Sequence, residues 1–523
     1  MTVAGLFAGI DVSTQGCKLV VIDRARAAVV HLDSLNYDRD LPHYETRDGA
    51  IQGLDEGVSE SDPRMWIEAV TTLLQRLSAA DLDAGAIRCI SVSGQQHGLV
   101  ALDRNGALAR PRAKLWNDFS TAAECDQLTA AVGGDEAMIA AVGNSQRTGY
   151  TAGKVLHLVQ HEPEAYARTA MLLVVHNYIN WFLTGGVAAM EPGDASGTAM
   201  WHPVHKRWAP AVLDAIAPDV HTKLPPVLPA DATIGAIDPA LARRFGLAPG
   251  CRIDAGCGDN MYGAVGTGNY RTGIVTVSLG TSGTAATYLE EPFVDSTGEI
   301  AAYCDSTGHY LPLLCVSNMA NGYNAFLRDF ATSHEGFNTL LADTPPGNDG
   351  RILVPWYEGE RTPDLPDAAP VYFGFTADDF VPRRLARAVL EGHVHSLYSG
   401  YRRFPRAAHL HVTGGLAQSP AWCQMLADVF QVEAVPVAGE GAALGAAIHA
   451  AWVWQKENGA DLSIADVGDP FIVLEEDRRA RPRPESAATY RAQRRLYQAV
   501  ADRTRGLAAE DPRDVRAELE ALP

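Results

Sequence analysis

The stretch LFAGIDVSTQGCKLVVID, residues 6–23, reads as two apolar runs joined by a polar tip, Ser13-Thr14-Gln15-Gly16, which is the pattern of two strands and a tight turn. A second stretch, GIVTVSLGTSGTAATYL at residues 273–289, repeats it. The segments Asp11 to Gly16 and Ser278 to Gly283 align without a gap, each between apolar strands. Their separation is about half the chain, which suggests a duplicated α/β domain rather than a short-period repeat. Two unrelated hairpins sharing Thr and Gly because turns favour them is the plainer alternative. At 523 residues the chain exceeds what one hydrophobic core usually supports, so two large domains are expected.

Working outward, a third strand around AAVVHLD completes an opening meander. Helical periodicity runs from Pro63 to Leu77, with Asp62 as cap and Pro63 at the first position. The strand IRCISVSG follows and carries SGQQHG at its end, and a helix stops at Gly246 before a Pro-Gly turn. The domain boundary is placed near Leu247 to Cys251. The expected division is residues 1–248, residues 249–475, and a C-terminal helix and tail over 476–523. In the last part of the chain, SPAWCQMLADVFQ reads as a helix capped by Ser419 and GEGAALGAAIHAAW as a helix rich in small residues.

The composition is that of a folded protein, 47% hydrophobic and 20% charged. Acidic residues number 63 against 43 basic ones, for a formal charge of −20, which disfavours nucleic acid and anionic membranes as partners. Local backbone N–H groups and a metal ion still allow a nucleotide. The eight cysteines show no C-x-x-C spacing and read as reduced core residues. The N-terminus has no basic region and its apolar run is interrupted by Asp11, so the expected location is cytoplasmic.

No G-x-x-x-x-G-K-[ST] is present, the single Gly-Lys pair being Gly153-Lys154, and no strand leads into G-x-G-x-x-G. What could hold phosphates instead is the pair of Ser/Thr/Gly tips. Asp11 stands inside an apolar strand, where an unpaired carboxylate is costly. Mg²⁺ would satisfy it, and so would a capping role at the strand end. In IDAGCGDNMYGAVGTG, Asp259 follows small residues and precedes a helix. It reads either as a helix cap or as the carboxylate that takes a proton from an attacking hydroxyl. His97 alone would be a satisfied strand-end histidine, Trp116 a core residue, and Asn117 with Asp118 an Asx turn.

Taken together, and in this order along residues 6 to 450, GIDVSTQGCKLVVID, SGQQHG, LWND, GCGDN, SLGTSG, VPWYEGERTP, VTGGLAQSPAWCQMLADVF and GEGAALGAA resemble the FGGY carbohydrate kinases, and within them the xylulokinases. The resemblance implies Asp259 as catalytic base, with Asn260 beside it at the sugar. It implies Gln96, His97, Asn117, Asp118 and Arg147 as further sugar contacts, Arg147 at slightly different local spacing. Asp11 would lie near magnesium and Thr14 and Gln15 at the phosphates. Gly280, Thr281 and Ser282 would close on the phosphates from the second domain, and Gly414, Gly415 and Gln418 would line the adenosine. Ser13 replaces a frequent Gly, and Gln95-Gln96 replaces a frequent Gln-Met before the histidine, which leaves the sugar's identity open.

The expected fold is α/β, two actin-like (ribonuclease-H-like) domains with the active site in the cleft between them. The expected reaction is ATP- and Mg²⁺-dependent phosphorylation of D-xylulose, with another ketose or a polyol such as glycerol as the nearest alternative. A non-catalytic actin-like sensor is the rival from another class. The partners expected are a small sugar and ATP, with a homodimer allowed.

Overall fold

The computed structural model describes residues 5–357, 359–439 and 441–522. They divide into two compact units. The first comprises Met1–Arg271, Tyr288–Pro312 and Gly439–Ile472, and the second Thr272–Thr287, Leu313–Ala438 and Val473–Pro523.

The sheet of the first unit is built on β1 (Leu6–Val12), β2 (Gly16–Asp23), β3 (Ala28–Asn36), β4 (Ile87–Gly94), β5 (Thr233–Ala236), β6 (Arg252–Asp254) and the short β7 (Cys257–Gly258). Across the sheet the order is β3-β2-β1-β4-β6-β5, with β7 pairing the end of β4. The first three strands form the antiparallel meander read from their turns, while β1, β4 and β6 run parallel. Alternate residues of β1 and β2, including Ile10, Val12, Leu19 and Val21, bury into one core. The helix Pro63–Ser78 covers that face with Met65, Trp66, Ala69, Val70, Leu73, Leu74 and Leu77. Full burial of each of its larger apolar side chains contributes roughly 1.5–3 kcal/mol. Asp62 accepts from the Arg64 N–H and Pro63 opens the helix, as the sequence suggests.

The second unit repeats this plan with β8 (Ile274–Leu279), β9 (Gly283–Thr287), β10 (Leu313–Val316), β11 (His409–Thr413), β12 (Glu433–Ala438) and β13 (Val473–Leu474), in the order β10-β9-β8-β11-β12-β13. Again three antiparallel strands meet two parallel ones, and an antiparallel edge strand closes the series. The correspondence holds strand by strand, so the duplication extends well beyond two similar turns. Both units are ribonuclease-H-like α/β folds.

The units are not drawn where the domains were expected. Residues 249–271 belong with the first sheet, because β6 and β7 pair in parallel with β4. Residues 439–472 also return to the first unit. There the helix Gly441–Glu457 lies on β1 and on the helix Asp259–Gly266. A Cβ at Gly9 would collide with the Ala443 carbonyl oxygen, and one at Gly445 with that of Tyr262. Small residues therefore set the closeness of this packing. Residues 476–522 lie in the second unit, where Leu496, Tyr497 and Val500 of the helix Ala487–Thr504 pack against Ile352, Val354 and Trp356.

Among the described residues no helix is long and apolar enough to cross a membrane. All eight cysteines are free thiols.

Candidate active site

Register brings the first unit's candidates together. Asp11 on β1 is level with Ser93 on β4, and Ser93 with Cys257 on β7. The residues that follow each strand, Ser13 to Gln15, Gln95 to His97, and Asp259 with Asn260, therefore emerge side by side at the carboxyl ends of neighbouring parallel strands. In open α/β sheets this edge is where ligands bind.

Asp259 is the first residue of the helix Asp259–Gly266, and the cap position before it belongs to Gly258. Gly258 has no side chain to cap with, and the Asp259 carboxylate itself accepts from backbone N–H groups of this first turn, those of Asn260 and Asp259. Asp259 and Asn260 are both half-buried. Asn260 Nδ2 donates to Asp259 Oδ1 at 3.1 Å and to Gln96 Oε1 at 2.8 Å. Gln96 Nε2 in turn donates to Asp194 Oδ1 at 3.2 Å. Burial, then the negative charges of Asp11 and Asp194, push the Asp259 carboxyl well above its ordinary value. The helix N-terminus works in the opposite direction and is outweighed.

Asp194 is itself held by a buried histidine. His176 Nδ1 lies 2.7 Å from Asp194 Oδ2, and Asn177 Nδ2 lies 2.8 Å from the other ring nitrogen. Burial opposes charge on His176, but the hydrogen bond to Asp194 prevails and raises it above an ordinary histidine. Glu191, pushed up to about 7 by burial, accepts from the N–H groups of Gly193 and Asp194 and so fixes the turn that presents Asp194.

Asp11 is half-buried, with its pKa raised by burial, and accepts from Ser93 Oγ at 2.7 Å. Trp116 Nε1 donates to Thr14 Oγ1 at 2.8 Å, which ties the LWND loop to the first turn. Gln15 at the tip is exposed. Asn117 Oδ1 accepts from Ser59 Oγ at 2.9 Å. Asp118, expected at the sugar, is turned inward. Fully buried, it accepts from the Ser59 N–H at 2.9 Å, Lys114 Nζ at 3.3 Å and Ser120 Oγ at 2.6 Å, which makes it the internal brace of the loop.

His97 adopts a left-handed backbone, φ 65°, unusual for a residue with a Cβ. Its carbonyl is gripped by Lys154 Nζ at 2.9 Å and Thr151 Oγ1 at 3.3 Å, and Lys154 also donates to the Gly149 carbonyl at 2.7 Å. Burial lowers Lys154 to about 7. The imidazole meets the Tyr303 hydroxyl at 3.3 Å through Nε2. Arg147 Nε donates to Ser145 Oγ at 3.0 Å.

In the second unit, Ser278 on β8 is level with Thr413 on β11, so the tip Gly280-Thr281-Ser282 and the pair Gly414-Gly415 leave adjacent strand ends. The Met319 N–H donates to the Thr281 carbonyl at 3.1 Å and the Ala320 N–H to that of Gly280 at 3.0 Å. Gly414 has φ +88°, and a Cβ there would sit 2.6 Å from the Leu279 carbonyl oxygen. Gln418 Oε1 accepts from Arg478 Nη1 at 3.1 Å. Glu360, buried and raised to about 7, accepts from the Ser317 N–H and holds the segment that closes on the tip.

Sequence reasoning passed over Ser93, Lys154, His176, Glu191, Asp194 and Tyr303. Lys154 was visible as half of the Gly-Lys pair. The side chains of Ser93, His176 (through Nδ1), Asp194 and Tyr303 find their partners 18 or more residues away and leave no local pattern, whereas Glu191 caps its own helix through the Gly193 and Asp194 N–H groups, a local signal in Glu191-Pro192-Gly193-Asp194.

Two family models cover the chain: FGGY family of carbohydrate kinases, N-terminal domain, over residues 6–266, and the C-terminal domain of the same family over residues 275–454. A xylulose kinase of Haemophilus influenzae is 34% identical over 93% of this chain and 97% of its own length. One of Streptomyces coelicolor is 33% identical over 87% and 89%. A solved xylulose kinase from Lactobacillus acidophilus superposes with a TM-score of 0.84 at 22% identity, covering 96% of this chain and 98% of that one, which is a likeness of fold. The chain belongs to the FGGY family of carbohydrate kinases.

Proposed function

We propose that the chain phosphorylates D-xylulose with ATP, giving D-xylulose 5-phosphate and ADP, and that Asp259 is the general base. The observation that carries the mechanism is the half-buried Asp259 carboxylate at the first turn of its helix, oriented by Asn260 and raised by its surroundings. A base poised in this way is useful near neutral pH. As the O5 hydroxyl attacks the γ-phosphorus, its proton passes to Asp259, the O–P bond forms, and the bond to the β,γ-bridging oxygen breaks with ADP leaving. The names of the curated relatives support the substrate.

In this reading Gln96, His97, Asn117, Arg147 and Asn260 contact the sugar, and Asp118 braces the loop. Thr14 and Gln15 are the first unit's candidates for phosphate oxygens, and Gly280, Thr281 and Ser282 are the second unit's, through hydroxyls and backbone N–H groups. Gly414, Gly415 and Gln418 receive the adenosine. Asp11, with one neutral donor on its carboxylate and two further acids acting on the same edge, suits a cation. Mg²⁺ held there would neutralise phosphate charge. We place the enzyme in the cytoplasm, in keeping with eight unbridged cysteines.

The test is ADP release coupled to added D-xylulose, D-ribulose and glycerol. D-Xylulose should give the highest kcat/KM. A higher value for either of the others would move the substrate assignment, and no substrate-dependent release at all would overturn the enzyme reading.

A further inference from the structure

His157-Leu158-Val159-Gln160-His161 places two imidazoles one turn apart on the helix Thr151–His161. The neighbouring helix Ala122–Val132 supplies Glu124 opposite them. One oxygen of Glu124, Oε1, lies 3.0 Å from His157 Nδ1 and 2.9 Å from His161 Nε2. The two rings stand 4.5 Å apart and tilted by 36°. Exposure is graded across the cluster: 4% for the Glu124 side chain, 22% for His157 and 56% for His161. All three ligand atoms fall within 4.8 Å of one another.

We propose that Glu124, His157 and His161 form a binding site for a transition-metal dication of the zinc class. Two imidazoles at i and i+4 with one carboxylate are a familiar zinc donor set, three protein ligands leaving a fourth position for water. The half-exposed His161 side is where that water enters. Magnesium prefers an all-oxygen shell, so the site discriminates against the ion that accompanies a nucleotide. On binding, each ring offers a nitrogen lone pair, and any proton held between the ring and Glu124 passes to the other ring nitrogen or to solvent.

The placement gives the metal something to do. The Glu124 helix begins just after the Trp116–Asp118 loop, and the histidine helix carries Thr151 and Lys154, which hold the His97 carbonyl. A metal joining the two helices would stiffen the supports of both. This inference does not depend on which sugar is the substrate.

The experiment uses the full chain stripped of metal in Mg²⁺-free buffer, titrated with Co²⁺ by visible absorption and with Zn²⁺ by calorimetry. One Co²⁺ per chain should bind with d–d bands, be displaced by Zn²⁺, and resist millimolar Mg²⁺. His161→Ala and Glu124→Gln should each weaken binding by about tenfold or more. Zn²⁺ should raise the Tm of the natural chain and not that of His161→Ala. His161 is half exposed, so its variant keeps the test decisive if Glu124→Gln unfolds. No uptake of Co²⁺ or Zn²⁺ by the natural chain, or equal uptake by His161→Ala, would overturn the proposal.

Discussion

The two turns at residues 13–16 and 280–283 occupy the same place in the same six-strand plan, yet they are chemically unlike. Around the first, the strand ends carry acids: Asp11 and Asp259 flank the end of β4, and Asp194 holds Gln96 there. Around the second, the corresponding ends present Ser278, Gly280, Thr281, Ser282, Gly414 and Gly415, which offer hydroxyls, N–H groups and close approach but no carboxylate. Duplication has kept a backbone that gathers ligands at the strand ends, and side chains have divided the labour. The first unit collects negative charge, which attracts a cation and raises a base. The second presents hydroxyls and N–H groups at its strand ends and keeps its nearby carboxylate, Glu360, buried under hydrogen bonds of its own, which suits anionic phosphates.

If that division is right, damage to the two edges should have different signatures. Asp259→Ala should lower sugar-dependent turnover by at least ~10²-fold with the fold retained by circular dichroism, since a positioned base contributes about that much. Asp11→Ala should weaken the apparent affinity for Mg²⁺ by about 10–100-fold, the range seen when a metal loses a supporting ligand, as read from rate against Mg²⁺ concentration. An unchanged magnesium titration would break the comparison on the acidic side. Gly414→Ala forces a Cβ into an extended, positive-φ backbone that only glycine readily adopts, against the Leu279 carbonyl, at a cost of about 1–3 kcal/mol. It should raise KM for ATP by about tenfold and leave KM for the sugar alone. A change confined to the sugar would break the comparison on the side of the second unit.

The smallest effect sharpens it. Asp259 must be ionised to accept a proton, and its raised pKa carries the acid limb of kcat/KM above the usual carboxylate range. Removing one negative neighbour in Asp194→Asn should move that limb to lower pH, by about one unit or less. A limb that stays in place would mean that Asp194 does not act on the base.

Much of this was legible in the chain. Apolar runs broken by Ser, Thr and Gly gave both meanders, and the ungapped match of the turns pointed to the duplication that the strand orders bear out. Asp62 with Pro63, and Gly246, marked helix ends because capping is local chemistry. The unit boundary was not legible in the same way. Residues 439–472 rejoin the first unit through contacts to Gly9 and Tyr262, far away in sequence, and no local composition announces them. The Asx turn offered for Asp118 is present, the Ser120 N–H donating to its carboxylate at 3.2 Å, but its inward hold on Ser59 and the hold of Asp194 on Gln96 join residues far apart in sequence and could not be read from neighbours.

The most direct test of the central claim is a single-turnover measurement with the isosteric Asp259→Asn variant, with the equilibrium binding of D-xylulose and of ATP measured on the same preparation. Both substrates should bind within about threefold of the natural chain, because the amide keeps the shape of the site, while the phosphoryl-transfer step slows by ~10²-fold or more. Transfer at close to the natural rate with both substrates bound would contradict Asp259 as the base.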